Sequence, residues 1–220
     1  MVRFAHLGWL RHRGGGQKSG EAPQTKGMVL NWARRYDLLV SLITIGRERA
    51  MRKRTADLAQ LRPGESVLDV GCGTGTLALV AKRRVGEAGR VAGIDPAPQM
   101  IARAGRKAAR QGLSLDLQVG VIERLPFPDQ SFDVVLSTLM MHHLPDDLKR
   151  QGLREIARVL KPGGRLLVVD AKRHSGAGHT AIEDQPALMR EAGFSRIEMG
   201  EAGFLGLGFA LGRIGEAASG

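Results

Sequence analysis

The chain of 220 residues is 43% hydrophobic, enough to bury the core of one domain of ordinary size. Its one cysteine, Cys72, excludes an internal disulfide framework and a cysteine-based metal cluster, and no apolar run approaches the roughly 18 residues of a membrane span. Charge is the unusual feature, since 33 lysines and arginines against 22 acids leave the chain at +11.

The excess is concentrated early. Residues 1–62 hold 13 basic side chains and four acids, which leaves 20 basic and 18 acidic side chains for the rest of the chain. Such asymmetry suggests an anionic partner, lipid surface or nucleic acid, the plainer alternative being a solvated helix face. Arg3, Arg11, Arg13 and Lys18 stand beside Phe4, Leu7, Trp9 and Leu10. Residues 1–20 are therefore expected to act as a reversible anchor on an anionic membrane surface, although the glycines weaken a helix there. The N-terminal segment lacks the uninterrupted apolar core and small-residue cleavage site of a secretory signal, so the expected location is cytoplasmic, peripheral at the inner membrane face.

"RHRGGGQKSG", Arg11 to Gly20, has the composition of a flexible linker. Helical periodicity starts near Met28, with Trp32, Tyr36, Leu39 and Ile43 on one face and Gly46 as a break. A second helix from Arg47 to about Leu61 ends at Pro63-Gly64. Strand candidates then follow at 66–71, 90–95, 115–119, 132–137, 165–170, 195–200 and 205–211. Helices are expected at about 75–86, 97–111, 146–160 and 184–192. Strands of near-continuous Val, Leu and Ile separated by helices mean a parallel sheet covered on both faces. With no helix between them, the last two strands should pair antiparallel. The expected fold is thus α/β: a doubly wound, seven-stranded, mostly parallel sheet. Its expected parts are a basic Gly-rich extension at 1–27, a helical lid at 28–62, the core at 63–213 and a tail at 214–220.

"VLDVGCGTGTLAL" turns from strand to helix through Gly71, Gly73 and Gly75. In such sheets a ligand sits beyond the C-terminal strand ends, near the switch point. Glycine allows positive φ and close approach there. Asp95, at the end of the next strand, can accept hydrogen bonds from both hydroxyls of a ribose. The G-x-G-x-G spacing is not the dinucleotide fingerprint, and no Gly-Lys-Ser/Thr follows for a P-loop. Asp69 would repel phosphate near the loop. A ligand with a ribose, a positive charge and no phosphate is S-adenosylmethionine.

Four ordered segments now carry a resemblance: "VLDVGCGTG", "GIDPAPQM", "ERLPFPDQSFDVVLS" and "VLKPGGRLLVVD". Over about residues 30–211 the chain resembles the class I S-adenosylmethionine-dependent methyltransferases, in their quinone-biosynthesis and small-molecule branch, whose sheet is Rossmann-like. The resemblance implies that Gly71, Cys72, Gly73 and Gly75 pass under the methionine part of the cofactor, with S-adenosylhomocysteine as product. Asp69 would orient the loop or meet the amino group through water, and Asp95 would bind the ribose. Pro96 and Met100 would pack on adenine, Met100 being otherwise ordinary core filling. Ser137 completes the expected cofactor set. Tyr36 resembles a lid tyrosine at the cofactor's carboxylate end, and is otherwise an aromatic packed on the sheet. The family usually has Gly-Asp-Ala where this chain has Gly120-Val121-Ile122. Val121 cannot accept from the adenine amino group, while the amide of Ile122 can still address a ring nitrogen.

Methyl transfer requires a positioned acceptor, exclusion of water and, for some acceptors, removal of a proton. His142 and His143 in "STLMMHHLPDD" are the candidate general bases, because imidazole titrates near working pH. Asp170, at the end of the fifth strand, can orient a histidine or act directly. Either histidine can instead serve a backbone hydrogen bond, and a His-His metal site lacks further ligands. The acceptor is expected to be a small molecule or a lipid-like compound, a quinone precursor or phospholipid headgroup. It would lie between the N-terminal helices, the 139–146 loop and the 171–184 segment. One alternative is an RNA methyltransferase using the basic N-terminal segment, against which stand an aromatic content of 4% and no base-flipping motif. The other is a cofactor-binding protein that no longer transfers methyl groups.

Overall fold

The computed structural model describes residues 48–172, 182–204 and 206–215. The expected anchor, the helix from Met28 and most of the 171–184 segment lie outside the described residues. The first described element is α1 (Glu48–Leu58). It is followed by β1 (Ser66–Val70), α2 (Thr76–Val85), β2 (Arg90–Asp95), α3 (Pro98–Arg110) and β3 (Asp116–Val119). The chain continues through β4 (Phe132–Thr138), α4 (Asp146–Val159), β5 (Leu160–Ala171), α5 (Gln185–Glu191), β6 (Phe194–Glu201) and β7 (Leu207–Ile214).

These strands form one seven-stranded sheet in the order β3-β2-β1-β4-β5-β7-β6. The first five pair parallel, and β7 runs antiparallel to both β5 and β6. The chain winds outward from β1 to β3, returns to β4 beside β1, and winds outward again. Right-handed crossovers in opposite directions put α2 and α3 on one face and α4 on the other. Side-chain packing agrees. Val67, Val91, Val134 and Leu136 meet Leu77, Ala78, Ala81 and Val85 of α2 on one face. Leu68, Val70, Val135 and Val168 meet Leu153, Ile156 and Val159 of α4, with Leu188 and Met189 of α5, on the other. Burial on both faces explains why these strands read as continuous apolar runs.

Helix α1 lies over α2, where Asp57 bonds Arg84 at 2.5 Å. Arg165 of β5 anchors the chain after that helix. Its buried guanidinium donates to the carbonyls of Ala59 and Gln60, both at 2.7 Å, and holds the Glu65 carboxylate through two bonds. On the other side of α2 lies α3: Ala104 touches Gly75, and Arg83 donates to Gln111. The three helices make one layer.

Several expected boundaries shift, and β7 runs Leu207–Ile214 where 205–211 was expected. Strand β5 starts at Leu160 rather than 165, because Leu160 already pairs with Phe132 before the ladder breaks and resumes at Val134 with Arg165. Pro162-Gly163-Gly164 fill that irregularity, and the bias against helix ahead of proline fits the end of α4 at Val159. No helix of the described residues is long and apolar enough to cross a membrane.

Candidate functional site

The loop after β1 turns through three left-handed glycines, Gly71 at φ 72°, Gly73 at 52° and Gly75 at 76°. The end of β2 fastens it. The carbonyl of Ile94 accepts from the amides of Gly71 and Cys72 at 2.9 Å each. Asp95 Oδ2 accepts from the amide of Gly73 at 2.9 Å, and Oδ1 from that of Ala97, also 2.9 Å. Each carboxylate oxygen keeps a further lone pair for a ligand hydroxyl. Burial pushes the Asp95 carboxyl upward, and the two amides oppose that shift.

Two chambers meet at this loop. The larger, of about 750 Å³, is mainly apolar, with Pro96, Met100, Val121, Ile122, Leu139, Met140 and Leu144 on its walls and Asp95, Glu123 and His143 among its polar groups. The smaller, of about 320 Å³, is polar and is bounded by Arg52, Asp69, Cys72, Thr74 and Thr76. Gly71, Gly73 and Thr138 border both. The Asp69 side chain shares its sheet face with Val67 and reaches the first turn of α2, where it takes the backbone amide of Ala78. That amide is one a helix start leaves unsatisfied. Asp69 is 2% exposed, and its Oδ2, like Thr138 Oγ1, has no hydrogen-bond partner among the described residues. Burial pushes its carboxyl up to about 7, against the lowering charge of Arg52.

The wall at 120–127 is set from outside. Ile122 packs against Gly152 of α4, where a Cβ would come within 2.6 Å of Ile122 Cδ1. Arg158, also on α4, donates to the carbonyls of Leu125 and Phe127 at 3.0 and 2.8 Å, and Glu155 accepts the amide of Leu125 at 2.8 Å. At the opposite wall Leu139 has φ 54°, an uncommon backbone for leucine that costs about 1–2 kcal/mol. Its amide is tied to the carbonyl of Val169 at 2.9 Å. The turn brings Met140 against Gly71.

Beyond Met140 a single 3₁₀ turn, Met141–His143, carries both histidines. His142 Nδ1 lies 2.5 Å from Asp170 Oδ1, and the His142 amide donates to Asp170 Oδ2 at 3.1 Å. The amide of Ala171 also donates to Oδ1, at 2.8 Å. Asp170 is thus a buried anchor that grips the histidine at ring and backbone together. The His143 ring lies against that of His142, with centroids 3.8 Å apart, and faces the larger chamber.

Most of the expected residues are brought together here. Tyr36 lies outside the described residues. Gly75 faces α3, where a Cβ would sit 2.7 Å from that of Ala104, and Ser137 is fully buried and borders neither chamber. The Cys72 thiol, pushed well up by burial, borders the polar chamber. Leu139, Met140 and Leu144 belong to the 139–146 loop expected beside the acceptor, whereas Arg52 and Thr138 were not singled out from the sequence. Arg52 was findable: it precedes the buried Thr55, Ala56 and Ala59 by helical spacing, so it lies on the inward face of α1.

The joined chambers fit S-adenosylmethionine. The larger is mainly apolar and carries Met100 and Ile122 on its walls, Asp95 keeps spare acceptor lone pairs, and the polar chamber sets Asp69 beside Arg52. Among the described residues no group of three or more His, Cys, Asp or Glu is placed to hold a metal ion.

Residues 67–164 match the family described as a methyltransferase domain. Demethylmenaquinone methyltransferase of Deinococcus radiodurans is 38% identical over 155 residues, covering 70% of this chain and 63% of that protein. The ubiquinone/menaquinone biosynthesis C-methyltransferase UbiE of Laribacter hongkongensis is 38% identical over 138 residues, 63% of this chain and 56% of its own. The chain thus spans less than two thirds of these relatives. Among solved structures, a SAM-dependent methyltransferase from Aquifex aeolicus superposes with a TM-score of 0.60 at 27% identity, covering 70% of this chain and 84% of that one. The glycine loop, the sheet order and the paired chambers agree with these likenesses: residues 67–164 match a methyltransferase domain, and the fold is that of the Aquifex aeolicus SAM-dependent methyltransferase.

Proposed function

We propose that this chain transfers a methyl group from S-adenosylmethionine to a small, lipid-like acceptor of the quinone-precursor class. The observation that carries the reading is the junction of an apolar chamber with a charged one at the glycine loop. S-adenosylmethionine, when bound, supplies a methyl group on a sulfonium that leaves as a neutral thioether. In this reading Asp69 meets the ammonium and Arg52 the carboxylate of the amino-acid end. Asp95 takes the ribose hydroxyls, Pro96, Met100 and Ile122 pack on the purine, and Val121 leaves its amino group without a side-chain acceptor. The segment 28–62, of which α1 is the described part, serves as the lid.

Two of the proteins just named carry a quinone in their names, one demethylmenaquinone and the other ubiquinone/menaquinone biosynthesis, which supports this acceptor class. Methylation of a ring carbon releases a proton that needs an acceptor. The histidine pair supplies it: Asp170 holds His142 with Nδ1 as donor, leaving Nε2 as the acceptor nitrogen, and His143, whose ring lies against that of His142, borders the chamber.

The test is a radiolabelled methyl-transfer assay with quinone-precursor, phospholipid and RNA pools in parallel. Label is expected in the organic phase from the quinone precursor. His142→Asn with His143→Asn should lower turnover by about 10²-fold, the usual worth of a general base, with cofactor affinity preserved. Label in RNA overturns the acceptor class, and unchanged turnover removes the base.

A further inference from the structure

Helices α1, α2 and α3 form one layer on one face of the sheet, and their charge is lopsided. Across ERAMRKRTADL, TLALVAKRRV and PQMIARAGRKAAR stand 11 lysines and arginines and two acids, Glu48 and Asp57. Asp57 is already engaged by Arg84. The opposite layer, α4 with α5 and the turn Ile182–Asp184 before it, carries five basic side chains and six acids. Along the sequence, residues past 62 look nearly balanced. Folding sorts them by face, because the acid-free helices α2 and α3 both cross over on the side of α1.

We propose that the α1–α2–α3 face docks on a bilayer rich in anionic phospholipid. Exposed Lys53, Arg106 and Arg110 belong to it, while half-buried Lys107 turns inward to Thr74 and Thr76. The three helices contain no Phe, Tyr or Trp, so the face offers charge without the stacking platforms that single-stranded nucleic acid needs. It also adjoins the site: Arg52 of α1, Thr76 of α2 and Met100 of α3 border the chambers. A face held at the headgroups would therefore keep the rim of the site beside the layer that dissolves a lipid-like acceptor. The choice of lipid rests on the proposed acceptor class.

Each lysine or arginine near an anionic bilayer strengthens binding about fivefold. The full chain is floated with phosphatidylcholine vesicles, with and without phosphatidylglycerol, in three forms. These are the natural sequence, Lys53→Gln/Arg106→Gln/Arg110→Gln, and the opposite-face control Arg150→Gln/Arg154→Gln/Arg190→Gln. The face triple should bind phosphatidylglycerol vesicles about a hundredfold more weakly, and the control triple close to the natural chain. Equal weakening by both triples would reduce the effect to net charge and overturn the proposal. So would binding that neither triple changes, or a face triple that loses single-stranded RNA while keeping vesicles. Partition is read without turnover, so its failure leaves the methyl-transfer reading standing.

Discussion

Asp69 is the residue whose sequence signal and structural state differ most usefully. The glycine motif marks it as a polar residue inside a strand, yet only the fold shows it sealed from water with a spare oxygen in a polar chamber. The folded carboxyl stays protonated up to about 7, whereas an unfolded one ionises near 3.8. The unfolded state therefore binds fewer protons between those values, and ligand-free stability falls as pH rises through that window and levels off above it. Between pH 5 and pH 8 the loss is about 3 kcal/mol. Asp69→Asn should remove that part of the slope in urea unfolding at the two pH values; equal slopes in both proteins would mean Asp69 ionises normally. Val121 was legible from sequence as a missing acceptor, and the structure sets it on the chamber wall. Val121→Asp should tighten S-adenosylmethionine up to about tenfold by calorimetry, the worth of one hydrogen bond. An unchanged affinity counts against the missing-acceptor account.

At the scale of elements, periodicity and turn residues located every described α-helix and strand, because each buries a regular stripe or run, but not the two 3₁₀ turns. What escaped were the ties made across long sequence separations. Arg165 reads in sequence as a basic residue at the start of a strand. In the fold it is 5% exposed and spends its donors on Ala59, Gln60 and Glu65, about a hundred residues away. No local pattern reports such a contact. Removing one partner of a buried pair typically costs 3–5 kcal/mol, so Arg165→Met should lower Tm by roughly 6–20 °C in a chain of this size. It should also loosen the seat of α1 and weaken cofactor binding through Arg52. A Tm within a degree of the parent would show that the clamp contributes nothing. Arg158 works similarly on the 120–127 wall, and its role too depends on contacts made about 30 residues away.

For the whole molecule, the alternation of strands and helices was enough to give the sheet and its switch point, and with them the edge where the chambers lie. Which helices share a face follows only once strand order and crossover hand are combined, so the distribution of charge in space was hidden in a chain that looks neutral after residue 62. The described helices carry their positive charge on one side of the sheet and a slight negative excess on the other, which amounts to an electric dipole along the sheet normal. A body with such a moment is turned by the field of an anionic surface before any atom touches it, within a Debye length of about 10 Å at 0.1 M salt. Orientation would then precede contact. Added salt should slow the arrival of the protein at a charged surface more than it hastens departure.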